Sequence, residues 1–288
     1  MTPIALRVAT CQTLPEPDLD EAPLAAALTA GGFSAELCGW DDPAVDWDAP
    51  IPTILRSTWN YPLALDAFVA WIDRASAAAP LFNPPDVVRG NLHKRYLLAL
   101  AARGVPVVPT TLVERGETLE LAAIDAPSIV IKPEIGAGSL GTRRFATSDP
   151  AARTHLAALT AQGAALVQPY IASVDTYGER SLVWIDGELS HAIRKTPRFL
   201  GDSEHVSGPF PITEDERAVA LAALAPLADR ILYGRVDLAR DAAGRPMVME
   251  IELVEPSLFF AHQPGSAERY VAALRRHLAS PSAGPTAT

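Results

Sequence analysis

The sequence predicts a mixed α/β and α+β fold, with a small, mostly parallel lobe near the N-terminus and antiparallel hairpins further along. Two observations predict this division. In the first third, segments typical of strands alternate with segments typical of helices, which favours a parallel sheet. After that, apolar segments come in pairs that flank turn residues, which is typical of hairpins.

The elements of the first lobe follow one another closely. IALRVAT predicts a strand, and PLAAALTAGG predicts a helix that ends at its two glycines. FSAELCGW and IPTILRST predict two more strands, and LALDAFVAWIDRASAA has apolar residues at helical spacing. A short LFN segment then ends at Pro84 and Pro85. We therefore predict an α/β lobe over residues 1–88.

The rest of the chain contains two predicted helices and three predicted hairpins. RGNLHKRYLLALAARG predicts a helix that Asn91 caps. The hairpins pair SIVIKPE with RRFAT, SLVWI with ELSHAIRK around Asp186-Gly187, and YGRVDLAR with PMVMEIEL. Thr213 and Glu216 predict a capping box for the second helix, which Pro226 should kink or end.

Composition and charge exclude several functional classes. The 288 residues carry a formal net charge of -10, which argues against a general nucleic-acid binder because binding phosphates requires a basic surface. No apolar segment approaches the ~20 residues that span a bilayer, and the first residues lack a secretion leader. Cys11 and Cys38 do not make a disulfide framework, which favours a reducing cytoplasm.

Residues 281–288 are expected to form a flexible tail.

The segment IKPEIGAGSLGT contains Gly136, Gly138 and Gly141 in a G-x-G-x-x-G spacing. A dinucleotide-binding loop would open a helix directly, whereas this one continues into the predicted strand RRFAT. We therefore interpret it as a flap that covers phosphates, with a plain solvated hairpin as the alternative. The period of two places Lys132 with Val130 on one face of the strand that enters the loop.

Lysine is scarce in this chain. Only Lys94, Lys132 and Lys195 are present, while arginine supplies every other basic position. Lysine offers a compact point charge and arginine a planar fork, so each lysine is a candidate for a specific role. Lys94 lies beside His93 and Arg95 in the predicted first turn of a helix, where positive charge is unfavourable unless an anion binds. A solvated surface cluster is the alternative.

Charged positions are densest in GRVDLARDAAGRPMVMEIELVEPS. If its two strands pair, Arg235 and Asp237 share one face, as do Val248, Glu250 and Glu252. The opposite face would pack on the core through Met247, Met249, Ile251 and Leu253. Two like charges ~4 Å apart repel by about 4 kcal/mol at an effective dielectric of ~20. A divalent cation would remove this repulsion, and hard oxygen ligands favour Mg²⁺. An exposed acidic face is the alternative.

Several segments together resemble the ATP-grasp superfamily. In the order typical of that family, over residues 91–257, they are NLHKRYLLAL, IVIKPEIGAGSLGT, ALVQPYIASVDTYGERSLVWIDGE, AIRK, GRVDL and VMEIELVEPS. The resemblance implies an ATP-grasp fold with a Rossmann-like substrate lobe over residues 1–88 and a central flap lobe over residues 89–168. It also implies a C-terminal antiparallel lobe with a metal site over residues 169–280.

The resemblance also implies roles for individual residues. ATP phosphates would be contacted by Lys94 and Lys132 and by the flap residues Gly136, Gly138, Ser139 and Gly141. The adenine pocket would be lined by Gln168, Pro169, Tyr170 and Ile171, and ribose would be bound by Glu179, with Asp175 as the alternative. Mg²⁺ would be bound by Asp237, Glu250 and Glu252, although many members of the family have asparagine at the position of Glu252. The catalytic residues would be Arg235 and Lys195.

The segments LRSTWNY, SHAIRK and ELVEPSLFF are similar to the glutathione-synthetase-like branch of the superfamily. Within that branch they resemble the cyclo-ligases of D-cycloserine biosynthesis, which close O-ureido-D-serine with ATP. The substrate contacts would then be Arg56, Ser57, Trp59, Tyr61, Arg194, Glu255 and Ser257. Arg56 follows a strand of an open α/β lobe, and its fork fits a carboxylate. For Trp59 and Tyr61 the alternative is packing at the entry of a helix.

The sequence therefore predicts an ATP- and Mg²⁺-dependent carbon–nitrogen ligase of antibiotic biosynthesis. It would activate a carboxylate as an acyl phosphate, close a ring, and release ADP, phosphate, CO₂ and ammonia. Its partner would be a small amino-acid-like molecule, with no nucleic acid or membrane, and it could form a homo-oligomer. The alternatives are an intermolecular amino-acid or peptide ligase and a non-catalytic nucleotide-binding protein.

Overall fold

The N-terminal part of the chain forms a parallel four-stranded sheet in the order β2-β1-β3-β4. We describe a computed structural model, which covers residues 2–196 and 205–279, so the predicted tail lies outside the described residues. The strands are β1 (Ile4–Thr10), β2 (Phe33–Gly39), β3 (Thr53–Leu55) and β4 (Leu81–Phe82). Helices α1 (Glu21–Ala30) and α2 (Leu65–Ala78) connect them, as the alternating pattern predicts.

The middle of the chain forms an antiparallel four-stranded sheet in the order β5-β8-β6-β7. Its elements are α3 (Pro85–Leu92), α4 (Tyr96–Ala102), β5 (Thr111–Val113), β6 (Ser128–Pro133), β7 (Arg143–Ala146), α5 (Pro150–Thr160) and β8 (Ala165–Pro169). The glycine-rich loop joins β6 to β7 as a hairpin, which confirms that it does not open a helix.

A third sheet is antiparallel, five-stranded and ordered β11-β10-β9-β12-β13. Its part of the chain comprises α6 (Ser173–Thr176), β9 (Glu179–Ile185), β10 (Glu188–Thr196), β11 (His205–Phe210), α7 (Glu214–Leu224), β12 (Tyr233–Arg240), β13 (Pro246–Glu252) and α8 (Ser266–Ala279). The predicted turn at Asp186-Gly187 and the capping box of Thr213 and Glu216 are confirmed, and α7 ends before Pro226.

The helix predicted to begin at Asn91 is interrupted. Residues before it already belong to α3, and a break over residues 93–95 separates α3 from α4. The Asn91 side chain does not cap a helix: its amide donates to the Ile251 carbonyl over 2.8 Å, and its oxygen accepts from the Leu253 N–H over 2.7 Å. The N-cap prediction was wrong because Asn91 bonds to a strand distant in sequence. Lys94 accordingly lies in the break and not in a first helical turn.

The five-stranded sheet is covered differently on its two faces. One face packs on α4 and α7 through Leu182, Trp184, Val236 and Leu238. The other packs on α8 and the first sheet through Val183, Ile185 and Tyr233. Further along that second face the apolar residues give way to Glu179, Ser181, Arg235 and Asp237. These four residues form a buried polar area on the five-stranded sheet, beside its apolar contacts. Within residues 2–196 and 205–279, no helix combines the length and apolar character that crossing a membrane requires.

Asp20, at the start of α1, connects the first lobe to the loop that follows β13. Its carboxylate accepts hydrogen bonds from the backbone N–H groups of Leu258, Phe259 and Phe260 at 2.5, 3.0 and 2.8 Å. It also forms an ion pair with Arg56 over 3.2 Å, and both side chains are almost fully buried. A buried charge without its partner is costly, so neither residue can be removed alone without penalty.

We expect Asp20→Ala to destabilise the protein by about 3 kcal/mol or more, because it leaves Arg56 buried without its partner and three N–H groups without an acceptor. Urea unfolding monitored by circular dichroism measures this change. Glu36→Ala, which removes an exposed carboxylate from β2, is the matched control and should shift the free energy of unfolding little. Equal effects of the two substitutions would contradict the role given to Asp20.

Candidate active site

All three lysines of the chain face one cluster of carboxylates. The Lys94 Nζ lies 3.0 Å from Glu250 Oε1, and the Lys132 Nζ lies 3.6 Å from Glu250 Oε2. The Lys195 Nζ lies 3.1 Å from Asp237 Oδ2 and also pairs with Glu179. These lysines come from the break before α4, from β6 and from β10, so the fold brings together residues from two sheets and a helix connection.

The register of β12 and β13 places the acidic residues side by side. Asp237 pairs directly with Glu250 across the strands, and Arg235 pairs with Glu252. The Arg235 Nε and Nη2 donate to the two oxygens of Asp237, each over 2.9 Å, and Nη2 also bonds to Glu252. The predicted gathering of these side chains on neighbouring strands is present, and they are not spread toward solvent.

A β-bulge changes which residues of β13 face the core. The register shifts between Asp237 and Leu238, so that Met249 is left without a partner opposite. Val248 is fully buried and packs in the apolar core, whereas Met247 and Met249 are half-exposed. The prediction that Val248 shares the face of the glutamates, with the two methionines on the core face, was wrong. Strict alternation fails because a bulge adds one residue to one strand.

The outer edge of β13 is occupied by side chains. The Tyr96 hydroxyl donates to the Ile251 carbonyl and accepts from the Ile251 N–H, both over 2.9 Å. Asn91 bonds to the backbone of Ile251 and Leu253 on the same edge. These contacts replace a neighbouring strand and fix the helices on either side of Lys94. As a result, the spacing between Lys94 and Glu250 depends on hydrogen bonds to the backbone next to Glu250.

The glycine-rich flap begins close to the lysines. Lys94 Nζ donates to the Gly136 carbonyl over 2.6 Å. Gly138 and Gly141 have φ values of 58° and 73°, a left-handed conformation that glycine adopts without strain, and Ser139 has the same conformation with φ 61°. On β6 the residues that alternate with Lys132 are buried in the core of the central lobe, which confirms the predicted face of Lys132.

The residues predicted to contact adenine lie at the end of β8. The Gln168 side chain is buried and donates to Thr110 Oγ1 over 2.8 Å, while Pro169 ends the strand and Ile171 comes soon after. The Tyr170 hydroxyl bonds to Asp175, and the guanidinium of Arg144 lies 3.4 Å from the centre of the Tyr170 ring. The ring and its two charged neighbours join the flap hairpin to α6.

The two candidates for binding ribose lie in different surroundings. Glu179 belongs to the carboxylate cluster, where burial and, to a smaller extent, Asp237 raise its pKa to about 7 against the lowering effect of Lys195. Asp175 is a third exposed and pairs with Arg144 over 3.6 Å. Asp175 therefore lies next to the predicted adenine pocket and Glu179 next to the predicted metal ligands. Which of them binds ribose stays a prediction.

The predicted metal ligands face cations of the protein. Glu250 pairs with two lysines, Asp237 pairs with Lys195 and Arg235, and Glu252 pairs with Arg235. No three His, Cys, Asp or Glu side chains in residues 2–196 and 205–279 are grouped closely enough to hold a metal in this arrangement. The chemistry of these side chains nevertheless fits Mg²⁺. Asp237 and Glu250 are paired across neighbouring strands, their carboxylate oxygens are the ligands that Mg²⁺ prefers, and their negative charges are already balanced by cations of the protein.

Comparison with known proteins gives consistent results. A family model described as the N-terminal domain of D-cycloserine synthetase DcsG matches residues 6–83. Over 284 residues the chain is 40% identical to the cycloserine biosynthesis protein DcsG of Streptomyces lavendulae, covering 91% of this chain and 94% of that protein. The chain belongs to the DcsG family. The crystal structure of D-cycloserine synthetase DcsG matches with a TM-score of 0.86 and 38% identity, covering 95% of this chain and 99% of that one.

The fold of this DcsG-family protein is that of ATP-grasp ligases. A D-alanine–D-alanine ligase from Bacillus anthracis, complexed with ATP, matches with a TM-score of 0.67, 16% identity and 96% coverage of both chains. The ATP-grasp ligase PsnB, complexed with Mg and ADP, matches with a TM-score of 0.63 and 17% identity, covering 96% of this chain and 99% of that one. The predicted fold, family and class of ATP-dependent ligase are confirmed. The lobe boundaries and the individual site roles stay predictions.

Two predicted substrate contacts lie in positions that do not favour that role. Arg56 is only 2% exposed, and its guanidinium bonds to Asp20 and, over 2.9 Å, to the Pro256 carbonyl. It supports the loop after β13 and is not open to a substrate. Arg194 alternates with Lys195 along β10, so it lies on the opposite face of the sheet, over the Phe210 ring. Motif position alone does not fix where a side chain points, and the substrate roles of Arg56 and Arg194 stay predictions that this geometry does not favour.

Two other predicted substrate contacts, Ser57 and Tyr61, also make structural contacts within the protein. The Ser57 Oγ lies 2.9 Å from Thr10 Oγ1, and both are buried. The Tyr61 ring stacks on Phe68 with 5.0 Å between ring centres, so packing at the helix entry, the alternative interpretation, is confirmed for Tyr61. The pKa of Tyr61 is raised mainly by burial and next by the charge of Glu255.

Side chains from other parts of the chain donate hydrogen bonds to three consecutive backbone carbonyls of the loop after β13. Trp59 Nε1 donates to the Glu255 carbonyl over 3.1 Å, and Arg235 Nη1 donates to the Ser257 carbonyl over 3.2 Å. Arg56 donates to the Pro256 carbonyl between them, and Asp20 accepts from the backbone N–H groups that follow, beginning with Leu258. The loop therefore presents the Glu255 side chain from a fixed backbone.

Glu134 is a residue of this region that sequence reasoning missed. Its carboxylate bonds to Arg95 and lies 3.3 Å from His93 Nδ1, and its carbonyl accepts from the Lys94 N–H over 3.0 Å. Glu134 therefore supplies the negative charge that His93 and Arg95 require. The side chain of Lys94, which lies between them, pairs with Glu250 instead. The available signal was the place of Glu134 two residues after Lys132.

The buried Glu255 predicts a specific pH dependence of stability. Burial, and after it the charge of Glu252, raise its pKa to about 8 from 4.5 in the unfolded chain. The folded state therefore binds the proton more tightly, so this contribution is present at low pH and is lost as pH rises from 4.5 to about 8.

We expect Glu255→Gln to gain stability relative to the wild type as pH rises through this window, by at most about 1.4 kcal/mol per pH unit. Urea unfolding at several pH values between 5 and 8, without nucleotide, measures the difference. A difference in the free energy of unfolding that stays constant with pH would show that Glu255 does not titrate as described.

Proposed function

We propose that this protein closes O-ureido-D-serine to D-cycloserine with ATP. The match to cycloserine-forming relatives over nearly the whole chain carries this proposal. The cluster of three lysines and four carboxylates supports the chemistry, because phosphoryl transfer depends mainly on positioning and on neutralising charge. A non-catalytic nucleotide-binding protein would have no need of this complete and costly set of buried charges.

The lysines would exchange partners when ATP binds. Lys94 and Lys132 both pair with Glu250, and Gly136 of the flap bonds to Lys94. We infer that the two ammonium groups turn to the ATP phosphates, with flap residues Gly138, Ser139 and Gly141 covering them. Bound Mg²⁺ would supply the positive charge that Glu250, Asp237 and Glu252 then require. Nucleotide and metal binding would therefore support one another.

The remaining residues would position the reaction. The substrate carboxylate attacks the γ-phosphorus, ADP leaves, and an acyl phosphate forms. Arg235, held between Asp237 and Glu252, would stabilise the negative charge on the transferred group, and Lys195 would act beside it. The ureido nitrogen then attacks the acyl carbon, phosphate leaves, and the ring closes. Hydrolysis of the carbamoyl group gives CO₂ and ammonia.

Other parts of the proposal concern binding and location. Gln168, Pro169, Tyr170 and Ile171 would line the adenine pocket, with Asp175 or Glu179 on the ribose. Trp59, Glu255 and Ser257 remain the proposed contacts of the small-molecule substrate. Both cysteines, Cys11 and Cys38, are free and buried, which supports a cytoplasmic location. A homo-oligomer stays a prediction.

The direct test is incubation of the protein with ATP, Mg²⁺ and O-ureido-D-serine, with measurement of ADP and of cyclised product by mass spectrometry. We expect ADP and D-cycloserine to appear together, and neither to form without Mg²⁺. ADP release only after addition of a second amine would show that the enzyme is an intermolecular ligase. Absence of ADP under every condition would reject catalysis.

A second test concerns Glu250. We expect Glu250→Gln to reduce ADP formation on the order of 100-fold or more, because it removes both a metal ligand and the partner of two lysines. The control is Glu268→Gln, which removes an exposed carboxylate from the first turn of α8 and should leave turnover unchanged. Near-normal turnover in Glu250→Gln would remove Glu250 from the catalytic cluster.

A further inference from the structure

Glu255 differs from every other carboxylate around the active site. Asp237, Glu250 and Glu252 each lie within ion-pair distance of a lysine or arginine. The Glu255 side chain is 8% exposed, and among the described residues it makes no ion pair with Lys, Arg or His. It projects from the loop after β13, whose backbone is fixed by Trp59 and the neighbouring side chains.

An isolated buried carboxylate is costly, and proteins retain such groups mainly where a ligand completes them. The nearby charges indicate which ligand that is. Burial is the main cause that raises the pKa of Glu255, and Glu252 and Glu250 raise it further in the same direction, whereas Lys94 and a backbone hydrogen bond lower it. Glu255 is buried three residues after Glu252 and makes no ion pair of its own in the described part of the chain, so a cationic ligand would relieve the cost of burying its charge. The protein supplies none there within residues 2–196 and 205–279.

Aromatic rings adjoin the same position. Trp59 is half-buried and donates its indole N–H to the Glu255 backbone, so its ring lies close to this loop. Tyr61 follows two residues later and is also buried, and its pKa is raised first by burial and then by the charge of Glu255. A carboxylate on a loop that contacts an aromatic side chain is well suited to an alkylammonium group, which can gain both an ion pair and contact with a ring face.

We propose that the Glu255 carboxylate binds the α-ammonium group of the substrate and thereby selects free α-amino acids. This inference rests on the proposed function and specifies how its substrate is recognised. In an α-amino acid the ammonium group and the reacting carboxylate are bonded to the same carbon. The residue that binds the ammonium group must therefore lie next to the site of phosphoryl transfer. Glu255 is three residues after Glu252 and interacts electrostatically with Lys94.

The same contact would control which nitrogen reacts. An ammonium group held as the cation by Glu255 has no lone pair, so it cannot attack an acyl phosphate. The neutral ureido group is then the nucleophile that remains available, and attack by its oxygen-bonded nitrogen closes the five-membered ring. Binding at Glu255 would thus favour ring closure over reaction of the α-amine.

The test compares O-ureido-D-serine with 3-(ureidooxy)propanoate, which has the same chain but lacks the amine. In the wild type we expect kcat/KM for ADP release to favour O-ureido-D-serine on the order of 10- to 100-fold, the usual effect of a charged hydrogen bond. In Glu255→Gln this ratio should fall towards one, mainly through a higher KM for O-ureido-D-serine. Glu255→Asp, which keeps the charge on a shorter side chain, should recover part of it.

Two controls separate recognition from folding. Glu268→Gln should keep the wild-type ratio, and Mg-ADP affinity measured by calorimetry should be the same in Glu255→Gln and the wild type. A ratio that Glu255→Gln leaves unchanged overturns the inference, and so does an equal loss with both compounds. If the wild type forms no ADP with O-ureido-D-serine, the proposed function fails and this inference fails with it. If it turns over both compounds equally, only the inference fails.

Discussion

The pairing of Glu250 with Lys94 and Lys132 is the contact on which the rest of the site depends. It joins three parts of the chain that are far apart in sequence: the break before α4, the strand that leads into the flap, and β13. Each of these charges is largely removed from water, and a buried charge without a partner is expensive. The position of the flap lobe relative to the five-stranded sheet is therefore coupled to the charge state of this one cluster.

The hydrogen bonds along the edge of β13 support this pairing. Tyr96 and Asn91 bond to the backbone of Ile251 and Leu253, so both helices next to Lys94 are tied to the strand that bears Glu250. These side chains at Ile251 and Leu253, together with the backbone of Pro106 and Val108 at Val248, satisfy the edge of the sheet, so it cannot recruit a further strand. The same residues thus close the sheet and set the geometry of the charges.

Much of the fold could be predicted from the sequence, because local signals and the final structure agree. Alternating elements indicate the parallel lobe, and turn residues indicate the hairpins, including the one at Asp186-Gly187. The scarcity of lysine points correctly to three side chains of one cluster. The strand RRFAT, directly after the glycine-rich loop, distinguishes the flap from a dinucleotide-binding loop.

The departures from expectation have a common physical cause, which is contact between segments distant in the sequence. A bulge at Met249 reverses the expected faces of Val248 and its neighbours, and nothing local marks it. Asn91 has the local sequence context of a cap, but its partner on β13 is remote. Arg56 has the position expected of a substrate contact, although Asp20 already satisfies it within the protein. Periodicity describes an isolated strand or helix, whereas these positions are decided by tertiary packing.

The loop after β13 has little regular structure, yet its backbone is fixed atom by atom by residues of the first lobe and of the sheet. Asp20, Arg56 and Trp59 all come from the first lobe and bind this loop. The N-terminal lobe is therefore not an exchangeable module. A chimaera that takes this lobe from another ligase would have to take residues 255–260 from the same source, because matched polar groups join the two segments in addition to the apolar packing of Leu258 and Phe260.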